Sequence, residues 1–472
     1  MASTNCWRCL ARPSQRLLLA PASMTAASSN PTSAAFSTST QLAARSTSGD
    51  TGMSRHIRTG KRLILGKKKR QGDKHKTPGP GERKAFRKRI QLSNDNALVV
   101  PGLAELTAQN VVDPGAVGQV VGIPVDVVDQ LRTCEAFKST QNWGLFRSPH
   151  MLIRKETVDM AQQLTDAVAK KETLRMVVTG DRGSGKSILG LQALATGFLN
   201  KWVVINIPEA QELTTAATEY STVHNSDMFS QPVYIVKLMQ AIHKANGPIL
   251  SQCRVELDHM QLPISVTRNM SLAALINATK EPEFAWPVFQ AFWKELLRPG
   301  RPPIMFALDG LAHIMRVSDY RSPAFELIHS HDLGLVRMFA EALGGKTPFP
   351  NGAAVLAVCS RGNAPILPSM DKALEQAAAI QAGAKAEEVP LRDAFYRKYD
   401  ERVFEALRGV RVLDVRGVTK HEARSLMEYW AASGVLRLRV DEKNVSDRWT
   451  LAGGGVLAEM ERVSLYDIRA TV

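Results

Sequence analysis

Eight consecutive residues, Gly180-Asp181-Arg182-Gly183-Ser184-Gly185-Lys186-Ser187, match the pattern G-x-x-x-x-G-K-[ST] at every fixed position. The chemistry of such a stretch is phosphate binding. Its glycines let successive backbone N–H groups converge on phosphate oxygens, and a helix starting at Lys186 adds the positive end of its dipole. Lys186 is placed to reach the β- and γ-phosphates, and the Ser187 hydroxyl to ligate Mg²⁺. Residues 180–187, with Ile188 beginning the helix behind them, are the candidate nucleotide-binding residues.

Those residues need a strand before them and a helix after them. Residues 174–179, Leu-Arg-Met-Val-Val-Thr, read as a buried strand, and Ile188, Leu191, Ala195 and Phe198 recur at helical spacing. Residues 201–207 predict a second strand, ended by Pro208. Residues 302–310, Pro-Pro-Ile-Met-Phe-Ala-Leu-Asp-Gly, form an apolar run that ends in an acid. A carboxylate at a strand end can hold the Mg²⁺ shell, so Asp309 joins Ser187 as a candidate metal ligand. Residues 353–360 predict another buried strand, and Ser360, Arg361 and Asn363 after it are candidates for sensing the terminal phosphate. Gly310 stands where a motor ATPase of the AAA type needs a Glu to polarise water. Glu209, after the second strand, is a substitute for that role or a helix-capping, solvent-facing residue.

Charge separates the chain into two parts. Residues 1–89 hold 19 Lys and Arg against Asp50, Asp73 and Glu82, whereas the other 383 residues carry 41 basic and 42 acidic side chains. The high isoelectric point therefore belongs to one N-terminal arm. Residues 1–49 have no Asp or Glu, abundant Ser, Thr and Ala, and Arg8, Arg12 and Arg16 spaced four apart. That is the composition of a mitochondrial transit peptide. Residues 50–89 are a Gly/Pro-punctuated basic arm with 15 Lys and Arg between 55 and 89 and Phe86 among them. Such a segment suits RNA phosphates without reading bases. No run of about 18 apolar residues is present, which argues against membrane insertion.

Residues 90–150 form a lead-in, 151–415 the nucleotide-binding domain, and 416–472 a small C-terminal unit. A helical patterning covers 157–169, and residues 210–295 are expected to be mostly helical, interrupted at Gly247-Pro248 and Glu281-Pro282. Val288, Phe289, Phe292, Trp293, Leu296 and Leu297 make an aromatic stripe of core character. Residues 409–415 predict a last strand, and residues 373–386 an Ala/Gln-rich helix or linker. A helix over 420–432, then strands at 434–440 and 449–451, predict a winged-helix-like lid. Cys6, Cys9, Cys134, Cys253 and Cys359 are scattered, and Cys6-Trp-Arg-Cys9 lacks a second ligand pair, so a reduced compartment is expected.

In order along the chain stand residues 144–149 (Gly-Leu-Phe-Arg-Ser-Pro), 152–155 (Leu-Ile-Arg-Lys), the glycine loop, 207–210 (Ile-Pro-Glu-Ala), 307–310 (Ala-Leu-Asp-Gly) and 419–430. Together these pieces resemble the death-associated protein three family, P-loop proteins of the mitochondrial ribosomal small subunit. The long leader and the insert near 373–386 look like a fungal version. The resemblance implies a guanine-nucleotide-binding subunit in the ribosome head, with GTP or GDP and Mg²⁺ as ligands and other mitochondrial ribosomal proteins as neighbours. No N-K-x-D guanine motif occurs, so the residues themselves leave ATP open.

The expectation is thus an α/β P-loop NTPase fold of the AAA/STAND kind. It comprises a parallel-sheet core, a helical insertion and a winged-helix-like end, with a nucleotide held and scarcely turned over. Two rival readings use the same residues: an active mitochondrial AAA/STAND-type NTPase, and a ribosome assembly factor that leaves the mature particle.

Overall fold

The computed structural model describes residues 90–466 except 224, 225, 268, 361, 363 and 386. The leader, the basic arm, Arg361 and Asn363 lie outside the described residues. The chain first forms β1 (Val120–Gly122), α1 (Val125–Thr133), β2 (His150–Leu152) and α2 (Lys155–Ala169). Then come β3 (Thr173–Gly180), α3 (Lys186–Leu199), β4 (Val203–Ile207) and α4 (Ala210–Thr214). A long excursion follows, with β5 (Ser221–Thr222), β6 (Phe229–Ser230), α5 (Pro232–Gln252), α6 (Leu272–Ile276) and α7 (Pro282–Leu296). The chain returns through β7 (Ile304–Asp309), α8 (Leu311–Ile314), β8 (Val317–Arg321), β9 (Leu327–His329) and α9 (Gly334–Gly344). It closes with β10 (Ala353–Val358), α10 (Pro368–Gln381), α11 (Glu401–Ala406), β11 (Arg411–Val415), α12 (Lys420–Ala432), α13 (Glu442–Leu451) and α14 (Leu457–Glu461).

Five strands form one parallel sheet in the order β11-β3-β10-β7-β4. Parallel strands buried on both faces read as near-continuous apolar runs, which is why β4, β7 and β10, buried along their whole length, stand out in the sequence. Alternate residues feed two cores. Val177, Ile205, Phe306 and Val355 face a core with α5, α7 and α9, and Met176, Val204, Met305 and Leu356 face a core with α1, α2 and α3. The aromatic stripe of α7 is buried as expected, with Val288, Phe289, Phe292 and Leu296 at zero exposure. The lead-in is no separate body, because Leu106, Val121, Leu131 and Trp143 pack in the second core.

Two expectations fail. The Gly247-Pro248 interruption does not break α5, which runs unbroken from Pro232 to Gln252. Pro248 sits on the exposed side of the helix, where the carbonyl it leaves unpaired faces water. Neighbouring Asn246 also pins the helix to the sheet: its Oδ1 accepts from Val204 N at 2.8 Å and its Nδ2 donates to Val204 O at 2.9 Å. That pairing occupies the free edge of β4.

The second failure is the winged-helix hairpin. No strand occurs among the described residues beyond 415, and Trp449-Thr450-Leu451 form the last turn of α13. The helix is set by Asp441, whose side chain caps Asn444 N at 2.7 Å. Without a partner strand, Val435, Leu436, Leu438 and Val440 instead pack as an irregular segment on the C-terminal core with Trp430 and Met427.

Candidate nucleotide-binding site

The glycine loop leaves the C-terminal end of β3 and enters α3 at Lys186. Gly180, Gly183 and Gly185 have φ of 138°, 81° and 98°, which L side chains rarely adopt. At Gly180 an added Cβ would lie 2.3 Å from Val415 O, so the loop also lacks room for side chains. Lys186 is buried and its Nζ donates to Gly180 O at 2.9 Å and to Asp181 O. Behind the loop, Gly190 and Gly197 let α3 approach the sheet, where Cβ atoms would meet Val358 Cγ2 and Val204 Cγ2 at 3.1 Å. Asp181 and Arg182 are exposed, and Ile188 is half-buried against the second core.

Asp309 is brought to the loop by sheet register. β10 lies between β3 and β7, with Val358 opposite Val178 on one side and Asp309 on the other. The Ser187 hydroxyl donates to Asp309 Oδ2 at 2.9 Å. The two residues proposed from sequence as metal ligands therefore meet, although 122 residues separate them. Two polar atoms here are buried without a hydrogen-bond partner, Ser184 Oγ in the loop and Asp309 Oδ1. A carboxylate oxygen and a hydroxyl left in this way, beside positive-φ glycines, suit a phosphate group with a hard cation. The residues fit Mg²⁺ with a nucleotide polyphosphate.

The other candidates fall around this point. Ser360 is half-buried two residues past the end of β10, the strand that lies between β3 and β7. Gly310 has φ of 92°, and a Cβ there would meet His313 Cδ2 at 3.3 Å and Ala210 Cβ at 3.6 Å. A side chain at 310 would thus crowd the edge of the His313 ring. Burial, with Arg316 beside it, lowers the His313 pKa. Glu209 is exposed at the N-cap position of α4 and makes no side-chain cap hydrogen bond.

Several residues at the site carry no signal in the motif. Arg154, at the start of α2, is buried and reaches Ser184 O at 3.1 Å, Arg416 O at 2.8 Å and Glu156 Oε1 at 3.1 Å. It ties the loop to the end of β11. Lys138, in the turn after α1, forms an ion pair with Asp309 Oδ2. The start of α14 lies directly on the loop: Ala458 N donates to Gly183 O at 3.0 Å, and a Cβ at Gly185 would meet Leu457 Cδ2 at 3.0 Å. Further along α14, Glu461 accepts from Asn142 Nδ2 at 2.8 Å, and burial raises its pKa. Arg154 belongs to the family-like run 152–155. Lys138 and α14 could be found only through tertiary contacts.

A family model described as "Mitochondrial ribosomal death-associated protein 3" matches residues 151–463, the stretch that holds the loop, Asp309 and α14. The "Small ribosomal subunit protein mS29" of Neurospora crassa is 50% identical over 100% of both chains. The protein of the same name from Schizosaccharomyces pombe is 22% identical over 71% of this chain and 69% of its own length. The Mus musculus protein is 21% identical over 45% of this chain and 56% of its own. The chain therefore belongs to the mitochondrial ribosomal death-associated protein 3 family.

Proposed function

We propose that the chain is a structural protein of the mitochondrial small ribosomal subunit that holds a nucleotide through residues 180–188, with Ser187 and Asp309 as ligands for Mg²⁺. The full-length likeness to a small-subunit protein supports the ribosomal role and the mitochondrial location. The Ser187–Asp309 contact beside a loop of positive-φ glycines carries the nucleotide role. The parallel sheet, the extra strand β10 between loop and carboxylate, and the excursion from α4 to α7 support a P-loop NTPase core of the AAA/STAND kind. GDP or GTP is the ligand that the family likeness favours, with ATP as the competing base.

Loop N–H groups and the α3 N-terminus bind the phosphates, and Lys186 neutralises them. Ser187 and Asp309 would hold the metal, and Mg²⁺ bound there would supply positive charge to the phosphates. Turnover is slow in this reading, because Gly310 supplies no water-polarising carboxylate, and a Cβ placed there would crowd His313. A ligand held only by the native state stabilises it by about 4 kcal/mol at a thousandfold excess over Kd. The ligand joins α3, the sheet and, through Gly183 and Gly185, the C-terminal segment that packs on the loop.

Ribosomal RNA, met through residues 50–89, and other mitochondrial ribosomal proteins are the partners. No helix among the described residues is long and apolar enough to cross a membrane. Sucrose-gradient fractionation of mitochondrial lysate at high salt, with nucleotide analysis of the small-subunit peak, tests the reading. The chain is expected in that peak together with bound nucleotide. Sedimentation at the top of the gradient indicates a transient assembly factor instead.

A further inference from the structure

The Lys138–Asp309 ion pair has no place in the phosphate-loop motif, yet it sits on the carboxylate that the motif requires for metal. Asp309 Oδ2 receives the Ser187 hydroxyl at 2.9 Å and the Lys138 ammonium together. The pair is largely withdrawn from solvent, with side-chain exposures of 25% for Lys138 and 11% for Asp309. Such a pair is screened far less than one on the surface, and losing one partner leaves a buried charge uncompensated.

The turn that delivers the ammonium is fixed. Lys138 N donates to Gln141 Oε1 at 2.9 Å, and Gln141 N donates to Lys138 O at 3.1 Å. Trp143 Nε1 donates to the same Gln141 oxygen at 2.7 Å. Phe137 and Trp143 anchor the turn in the core, edge to face at 5.3 Å. A lysine on a free loop would lose side-chain and backbone entropy on pairing; here the backbone share is already spent in the fold.

We infer that Lys138 is a resident cation of this site that competes with Mg²⁺ for Asp309 and holds nucleotide when free Mg²⁺ is low. The inference rests on the nucleotide-binding reading above. Mg²⁺ gives up its waters reluctantly and seeks carboxylate oxygens that are open to it. Oδ1 of Asp309 is open, but Oδ2 already holds an ammonium whose charge opposes a second cation on the same carboxylate. With the metal absent, that ammonium stays beside the site as a cation for phosphate charge. Two effects of opposite sign follow from removing it. Mg²⁺ gains easier access to Asp309, and the metal-free nucleotide loses a cation.

The test is a titration of fluorescent GDP, with fluorescent ADP in parallel, against the full chain in EDTA and across a MgCl₂ series. The wild type should lose no more than about fivefold in affinity on going from saturating MgCl₂ to EDTA, a small loss by the scale on which tenfold is about 1.4 kcal/mol. Lys138→Met should weaken binding in EDTA by about tenfold and lower the MgCl₂ midpoint by a comparable factor. A merely structural lysine would weaken binding in both conditions. Lys138→Arg should restore retention in EDTA, which guards against a misfolded Met variant. In an Asp309→Asn background, Lys138→Met should no longer move the MgCl₂ midpoint. If both nucleotides bind the wild type and Lys138→Met leaves the midpoint unchanged or raises it, the inference is overturned alone. If neither nucleotide binds the wild type, the nucleotide-binding reading fails and the inference with it.

Discussion

Ser187 Oγ lies 2.9 Å from Asp309 Oδ2, joining the first residue after the loop lysine to the last residue of β7. The contact is possible because β10 sets the ends of β3 and β7 in register on its two sides. On the proposal that both side chains hold one metal ion, their loss should not add. Ser187→Ala and Asp309→Asn are each expected to weaken Mg–nucleotide binding by a few-fold, up to about the fivefold that removing Mg²⁺ itself costs, and the double variant by little beyond the worse single one. Isothermal titration in MgCl₂ checks this. Full additivity would mean that the two residues serve separate purposes.

Arg154 holds the loop from behind through Ser184 O and Arg416 O. Arg154→Met removes charge-assisted hydrogen bonds to two carbonyls in a buried place. The expected cost is ~2 kcal/mol of stability, with weaker nucleotide binding as the loop loosens. Denaturant unfolding and titration on the same sample measure both. Weaker stability with unchanged nucleotide affinity would reduce Arg154 to a packing residue.

Much of this site is legible in the chain because its parts are local. The loop is contiguous, and the strands before the loop and before Asp309 are buried on both faces, so they stand out as apolar runs. What brings Lys138 onto Asp309 is a turn anchored by Phe137, Gln141 and Trp143, and nothing in that spacing announces its partner. The C-terminal unit departs from its pattern for a different reason. Val435, Leu436, Leu438 and Val440 look strand-like, but a strand needs a partner, and the capping signal at Asp441 turns the next segment into a helix. Pro248 does not end its helix, because a proline on an exposed helix face costs less when Asn246 anchors the same turn.

Acid should destabilise the protein through His150. Its ring is buried among Phe146, Trp143 and Tyr429, and burial lowers its pKa from 6.5 to about 3. The folded value lies below the unfolded one, so the unfolded chain takes up the proton first. The contribution is full above pH 6.5 and is lost as the pH falls towards 3. His331, lowered to about 4 by burial with His329 beside it, adds in the same direction. His150→Phe should shrink the difference in urea midpoint between pH 7.5 and pH 5. An identical difference in the variant would remove His150 as the cause.

Turnover should be slow, well below the roughly 1–10³ s⁻¹ of ordinary enzymes. Gly310→Glu is not expected to create an active motor. Its φ of 92° strains any L residue by about 1–2 kcal/mol, and His313 stands 3.3 Å from the new Cβ. A multiple-turnover phosphate-release assay on both proteins decides this. A rate near one per second in the wild type, abolished by Lys186→Ala, would favour the active NTPase.

Residues 61–89 carry most of the arm's positive charge. Deleting them should leave nucleotide affinity intact and flatten the log–log salt dependence of binding to ribosomal RNA, since fewer counterions are released. Filter binding across a KCl series measures the slope. An unchanged slope would assign the RNA contacts to another part of the chain.

The nucleotide content of the purified protein tests the central claim most directly. Heat release and chromatography should find close to one nucleotide per wild-type chain, and almost none in Lys186→Ala, whose loop keeps its glycines but loses the buried ammonium. Equal content in the two proteins, whether full or empty, would contradict the claim that this loop holds a nucleotide.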